Sequence, residues 1–332
     1  MRWLWRADAN GANRPQAMAL PNLIVAGAPK CGTSSLFQWI ADHPEAEGAR
    51  IKETCYFNDP SSHVFNRERN FALMGLAGYE DYFPVKKPNA KVRLEATPTY
   101  MYQQMALAHL PDLPTTPKFL FVVRDPAAQL LSTYRYYLNN WLMLGADVSF
   151  GDFIEMVENK DPILAKNELL ADAFLNVRYR ERLDCWLGRV GSDRMRVLTT
   201  DALSQDRAST LAGIAAWLGL DPDFYRDYAF PRENESYQVK NRAVHSANLR
   251  LRGLIAKTPF YKVARSAYRR FNTTSAPAVL AAADKAVLTD IRRRYAKHNA
   301  ELAAAYDLDI SNWSDGTVTA ASDVQEALNV AR

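Results

Sequence analysis

Strand-like runs alternate along this chain with stretches of helical period. The runs fall near 23–27, 92–96, 118–124 and 195–200, and the helical patterns between them near 34–43, 127–139 and 176–190. Alternation of this kind predicts an α/β fold: a single domain with a central parallel sheet flanked by helices on both faces. In such sheets ligands bind outside the carboxyl ends of the strands. Residues 61–87 lack a clear period but hold Phe65, Phe71, Tyr79, Tyr82 and Phe83, which predicts a lid or an acceptor wall. An irregular linker is expected at 259–278 before a long helix near 279–306. The chain divides accordingly into a loose arm (1–20), one domain (21–315) and a tail (316–332).

The first apolar run breaks into Gly27-Ala28-Pro29-Lys30-Cys31-Gly32-Thr33-Ser34-Ser35-Leu36, a small, hydroxyl-rich turn opening a helix. Backbone N–H groups of such a turn, the unbonded donors of the helix start and the helix dipole all favour an anion at one point. The Walker A pattern needs a lysine directly after its second glycine. Here Lys30 stands two positions before Gly32, so the turn does not read as an ATP-binding P-loop.

The run 118–124 ends in Arg124-Asp125-Pro126, and Pro126 pre-sets the φ of a first helical turn. Arg124 then lies at a strand end and Ser132 about two helical turns on, within reach of one phosphate. Together the two segments resemble the sulfotransferases that use 3′-phosphoadenosine 5′-phosphosulfate (PAPS), which implies a single P-loop-like domain. The resemblance implies that Lys30, Cys31, Gly32, Thr33, Ser34 and Ser35 hold the 5′-phosphosulfate and that Arg124 and Ser132 hold the 3′-phosphate. Lys52-Glu53-Thr54-Cys55-Tyr56-Phe57 is similar to the K-E-x-x-[FY]-F segment of the carbohydrate and heparan-type branch, whose glutamate is taken as general base. Glu95-Ala96-Thr97-Pro98-Thr99-Tyr100 is similar to that branch's E-K-[ST]-P-x-Y segment, with Ala96 where many relatives carry lysine. The helix opening at Tyr179, the late basic loop with Lys240, Asn241 and Arg242, and the closing 295–313 stretch extend the likeness over most of the chain. They add Tyr179, Lys240, Asn241 and Arg242 to the implied donor-binding set.

Charge and cysteines change the picture little. With 41 Lys+Arg against 37 Asp+Glu the net charge is +4, too mild to point to nucleic acid. Three cysteines at scattered positions form neither a zinc pattern nor a disulfide framework, which fits a reducing cytoplasm. The start reads as no secretory signal, and no stretch approaches the ~20 apolar residues of a membrane helix.

The chemistry expected of these residues is in-line transfer between two oxygens, which demands positioning, an activated acceptor hydroxyl and a neutralised leaving phosphate. Lys30 can supply the positive charge, Glu53 can act as base, and Lys52 can keep Glu53 ionised or contact the transferring group. No metal is called for. Glu53 can instead pair with Lys52 or Arg50 as a surface charge. His63 and His109 are the other possible bases. The aromatics Tyr134, Tyr136, Tyr137 and Trp141 read as packing and cleft wall. The expected function is sulfuryl transfer from PAPS to a hydroxyl of a carbohydrate or glycoconjugate. The alternatives are a small alcohol, lipid or natural product as acceptor, a P-loop small-molecule kinase, or a nucleotide-binding regulatory module that would not need Glu53.

Overall fold

The computed structural model describes residues 20–231, 238–255, 268, 271–274 and 282–314. The expected tail, the expected arm apart from the buried Leu20, and most of the expected linker lie outside the described residues. Five parallel strands form the central sheet: β1 (Leu23–Gly27), β2 (Ala46–Gly48), β3 (Val92–Glu95), β4 (Lys118–Val123) and β5 (Met195–Thr199), in spatial order β2-β3-β1-β4-β5. β1 is central and wholly buried, as its unbroken apolar run requires. From β1 the chain first builds one half of the sheet and then crosses over to build the other. The strand order therefore reverses beside β1, and the crevice at the carboxyl ends of β1, β3 and β4 is where a ligand belongs.

Close packing holds that crevice open. A Cβ on Gly27, at the end of β1, would stand 2.7 Å from the Cβ of Met101, so only glycine lets the strand exit here. Behind the sheet Trp186 stacks near Phe119 and Phe121, with centroids at 5.1 and 5.5 Å, and its indole N–H donates to Met101 O at 3.2 Å. The Pro126–Asn139 helix starts where Asp125 Oδ1 accepts from Ala127 N at 3.1 Å. The Ala282–Tyr306 helix packs against it, and Arg292 Nε donates to Asp125 Oδ2 at 2.9 Å.

β2 escaped the sequence reading because three residues carry no period. The expected helix 176–190 is two helices, Ala173–Asn176 and Tyr179–Val190, with Val177 and Arg178 between them. The expected irregular segment 61–87 contains the Phe71–Glu80 helix, capped by Asn70, whose side chain accepts from Leu73 N at 3.0 Å. Leu73 and Met74 on its open side are exposed while Tyr79 is buried, so no single apolar face announces this helix. Tyr79, Tyr82 and Phe83 are core residues, so the 79–83 end of the segment is packed into the domain. In the described part of the late region, β6 (Gln238–Val239) pairs with β7 (Thr273–Thr274).

Candidate active site

The turn after β1 adopts a left-handed backbone at Lys30 (φ 66°) and again at Gly32 (φ 88°). Left-handed and right-handed residues in succession curl consecutive N–H groups around a concavity that suits an anion. The Thr33–Ala41 helix follows, and its first internal bond is Leu36 N–H to Gly32 O at 3.2 Å. The N–H groups of Thr33, Ser34 and Ser35 thus lie outside its ladder and face the same concavity. Thr33 is buried, Ser34 and Ser35 are half-buried, and Gly32 is open.

Lys30 reaches over the Tyr136 ring, its Nζ 3.8 Å from the centroid. Burial lowers its pKa from the usual lysine range to about 8, against the opposing pull of Glu53. A cation removed from water and poised this way gains most when an anion arrives. Arg124 stands at the end of β4, and one guanidinium N–H approaches Lys30 O at 3.5 Å, so strand and loop are in register at the crevice. Ser132 lies half-buried on the Pro126–Asn139 helix.

Lys52 joins this loop to the candidate base. Its Nζ donates to Glu53 Oε1 at 2.7 Å and to Thr33 Oγ1 at 3.4 Å. Glu53 keeps about half its side chain exposed (49%), as a group that must meet a substrate needs. Its segment is fixed from below by a group the sequence quoted without a role. Glu95 is fully buried at the end of β3, and its Oε2 accepts from Thr54 Oγ1 and Thr97 Oγ1, both at 2.8 Å, while Oε1 accepts from the Tyr79 hydroxyl. Burial pushes the Glu95 carboxyl above the usual carboxylate range, and these three donors oppose it. Tyr100 adds its hydroxyl, accepting from Tyr56 N at 3.0 Å. The i, i+2, i+5 spacing of Glu95, Thr97 and Tyr100 was the available signal for this anchor. Ala96 is buried, its N–H donating to Lys52 O at 2.9 Å.

Several expected residues sit elsewhere. The Cys31 thiol is fully buried, turned toward Pro29 O at 3.5 Å, and burial pushes it up to about 12; only its backbone can face a ligand. Tyr179 is buried in the core against Cys31, and burial holds its phenol well above the ordinary range, so its side chain does not line the cradle. Arg242 donates to Leu138 O at 3.0 Å and Leu144 O at 2.7 Å. Its guanidinium braces the chain leaving the Pro126–Asn139 helix instead of lining the crevice. Asn241 is held by Asn272, whose Oδ1 accepts from Asn241 N at 3.0 Å, and Lys240 beside it is exposed. His63 has both ring nitrogens engaged: Nδ1 lies 2.7 Å from Glu168 Oε2 and Nε2 3.2 Å from the Tyr137 hydroxyl. Burial pushes Glu168 up, but hydrogen bonds from His63 and Ser62 outweigh it and hold the carboxyl at about 2. Glu168 is therefore ionised, and its carboxylate accepts from the Nδ1–H of His63. His109 packs on Phe71 with ring centroids at 4.5 Å, a structural role.

The sequence profile of the sulfotransferase domain matches residues 20–242, more than half of the chain. The chain belongs to the sulfotransferase family. It is 25% identical over 211 residues to human heparan sulfate glucosamine 3-O-sulfotransferase 3B1, covering 62% of this chain and 49% of that protein. It is 29% identical over 127 residues to the membrane-associated sulfotransferase kil1 of Dictyostelium discoideum, covering 38% of this chain and 24% of that one. The chain thus spans about half, or less, of the length of these curated relatives. A crystal structure of a sulfotransferase from Alicyclobacillus acidocaldarius superposes with a TM-score of 0.62 at 18% identity, covering 88% of this chain and 98% of that one. Its likeness establishes the fold: a parallel sheet with flanking helices of the P-loop-like kind. Among the described residues no helix is long and apolar enough to cross a membrane.

Proposed function

We propose that this protein is a PAPS-dependent sulfotransferase whose acceptor is a hydroxyl of a carbohydrate or glycoconjugate, its catalytic unit spanning 21–315. The observation that carries the reading is Lys52, which touches both the anion loop, at Thr33, and the exposed carboxylate of Glu53. On this reading a donor-binding concavity and a base for an acceptor hydroxyl share one crevice. When bound, PAPS supplies the sulfuryl group and a bisphosphate leaving group. The residues fit it: the N–H groups around Gly32, Thr33 and Ser34 suit the 5′-phosphate, while Arg124 and Ser132 suit the 3′-phosphate.

Within that crevice Glu53 accepts the acceptor's proton, and Lys52 beside it favours the carboxylate form. Lys30 places its charge against the negative charge that develops as the donor's bridging bond breaks. The buried Glu95 anchor keeps Glu53 from drifting with its loop. The sugar acceptor is supported by the heparan-type relatives and by the Lys52-Glu53-Thr54-Cys55-Tyr56-Phe57 segment. A cytoplasmic location, where PAPS is made, goes with this reading. The kinase alternative loses its support at Cys31, where a P-loop kinase would present a hydroxyl to Mg²⁺ and this chain buries a thiol.

Transfer of labelled sulfate from PAPS to a panel of glucosamine-containing oligosaccharides and small alcohols, with EDTA present, tests the proposal, beside a parallel assay of the same acceptors with labelled ATP and Mg²⁺. Label on a sugar is the expected result. Label on small alcohols alone would move the acceptor class, and phosphate transfer from ATP would replace the reading with a kinase.

A further inference from the structure

Three consecutive carbonyls of the anion loop are each met by a side chain from another element. Gln129 Nε2 donates to Pro29 O at 3.1 Å, Arg124 approaches Lys30 O at 3.5 Å, and Thr200 Oγ1 lies 3.2 Å from Cys31 O. Thr200 Oγ1 is also 3.2 Å from Val123 O, so its single hydrogen is shared between the loop and the end of β4. Gln129 is buried on the Pro126–Asn139 helix, and Thr200 opens the Thr200–Gln205 helix after β5.

We propose that Gln129 and Thr200 are positioning residues for the donor: by holding the Pro29 and Cys31 carbonyls they turn the following N–H groups into the phosphate concavity. The inference rests on the donor reading above. In a trans peptide the N–H points opposite to the C=O of the same unit, and the peptide units from Pro29 to Gly32 are trans. Fixing Pro29 O on Gln129 fixes the Lys30 N–H on the opposite side. Fixing Cys31 O on Thr200 does the same for the Gly32 N–H. Without these partners a peptide flanked by left-handed residues at Lys30 and Gly32 can rotate, presenting a carbonyl where an anion should bind. Neither side chain touches the donor. Both act through backbone, from elements that begin at the ends of the two neighbouring strands, β4 and β5.

Titration calorimetry on the full chain separates this role from simple support of the fold. The probes are adenosine 3′,5′-bisphosphate (PAP), AMP and adenosine 3′-monophosphate, the weaker two read by displacement. Thr200→Val and Gln129→Met keep volume and lose the donor. Each is expected to weaken PAP and AMP about 3- to 10-fold, the usual worth of one hydrogen bond. Adenosine 3′-monophosphate, which lacks the 5′-phosphate, should bind as it does to the unaltered chain. Thr200→Ser, which restores the hydroxyl, should return PAP affinity to within about twofold. Unaltered PAP and AMP affinity in both variants would overturn the proposal, and so would equal weakening of all three nucleotides, the mark of a merely destabilised domain. Failure of the unaltered chain to bind PAP would instead remove the donor reading itself.

Discussion

The donor and acceptor halves of the proposed site are made of different material. On the donor side the 5′-phosphate cradle is backbone, with left-handed residues at Lys30 and Gly32, the first turn of the Thr33–Ala41 helix, and carbonyls pinned by Gln129 and Thr200, and side chains join that side at Lys30, Arg124 and Ser132. The acceptor side presents side chains on long loops, the exposed Glu53, the Lys52 that pairs with it, and a wall backed by the Glu168–His63–Tyr137 chain. Backbone geometry fixes what a site binds within narrow limits, since a phosphate is the same in every relative. A side-chain wall can be rebuilt for each acceptor without disturbing the sheet. The contrast explains why motifs point to the donor and to a base while the acceptor itself does not follow from one.

The largest effect should come from separating the halves at Glu53. Glu53→Gln keeps the shape and cannot take a proton, so turnover should fall by about 10²–10⁴ while PAP affinity stays within twofold of the unaltered chain. Single-turnover rates beside calorimetry read both quantities. Loss of PAP binding in that variant would show that the two halves are not separable. Arg124→Ala should do the converse, lowering PAP affinity by about 1.5–3 kcal/mol, the range for a hydrogen bond to a charged group, and leaving the acceptor KM alone.

Next comes the wall. Glu168→Gln removes the charge that His63 and Ser62 hold, and should destabilise the fold by about 1.5–3 kcal/mol at neutral pH in urea unfolding. The sign with pH follows from the depressed carboxyl. Its stabilisation is complete above the ordinary value of 4.5 and is lost as pH falls through about 2, so the deficit of the variant should shrink across that window. A deficit that does not change between pH 7 and 2.5 would contradict an ionised Glu168. The smallest expected effect is a titration: Lys30 loses its charge as pH rises through about 8, so PAP should bind more weakly above that pH. Lys30→Arg, which stays charged, should flatten that limb of the binding curve.

The sheet was legible because β1 and β4 are near-continuous apolar runs and β3 and β5 recur as strand-like segments between helical stretches, and the donor loop because small residues, a lysine and hydroxyls at a strand end have one common use. β2 was not legible: three residues carry no period, and pairing with β3 alone makes it a strand. Glu95 stood in view with no role, since burial beneath Thr54 and Thr97 is a tertiary fact. Gln129 and Thr200 gave no local signal either, because their partners lie 100 and 169 residues away. Arg242 was assigned to the donor by its place in a basic loop, and the fold instead uses it on Leu138 and Leu144 carbonyls. Cys31 shares the loop with Lys30 but its side chain turns inward, a difference that spacing cannot express.

The central claim is that one crevice reads two phosphates, the 5′ group on the Lys30 loop and the 3′ group on Arg124 and Ser132. Calorimetric titration of the unaltered chain with PAP and with AMP tests it most directly. PAP should bind at least about tenfold more tightly than AMP, the difference of about 1.4 kcal/mol or more that a charged hydrogen bond to the second phosphate supplies. Equal affinities for the two nucleotides would contradict it.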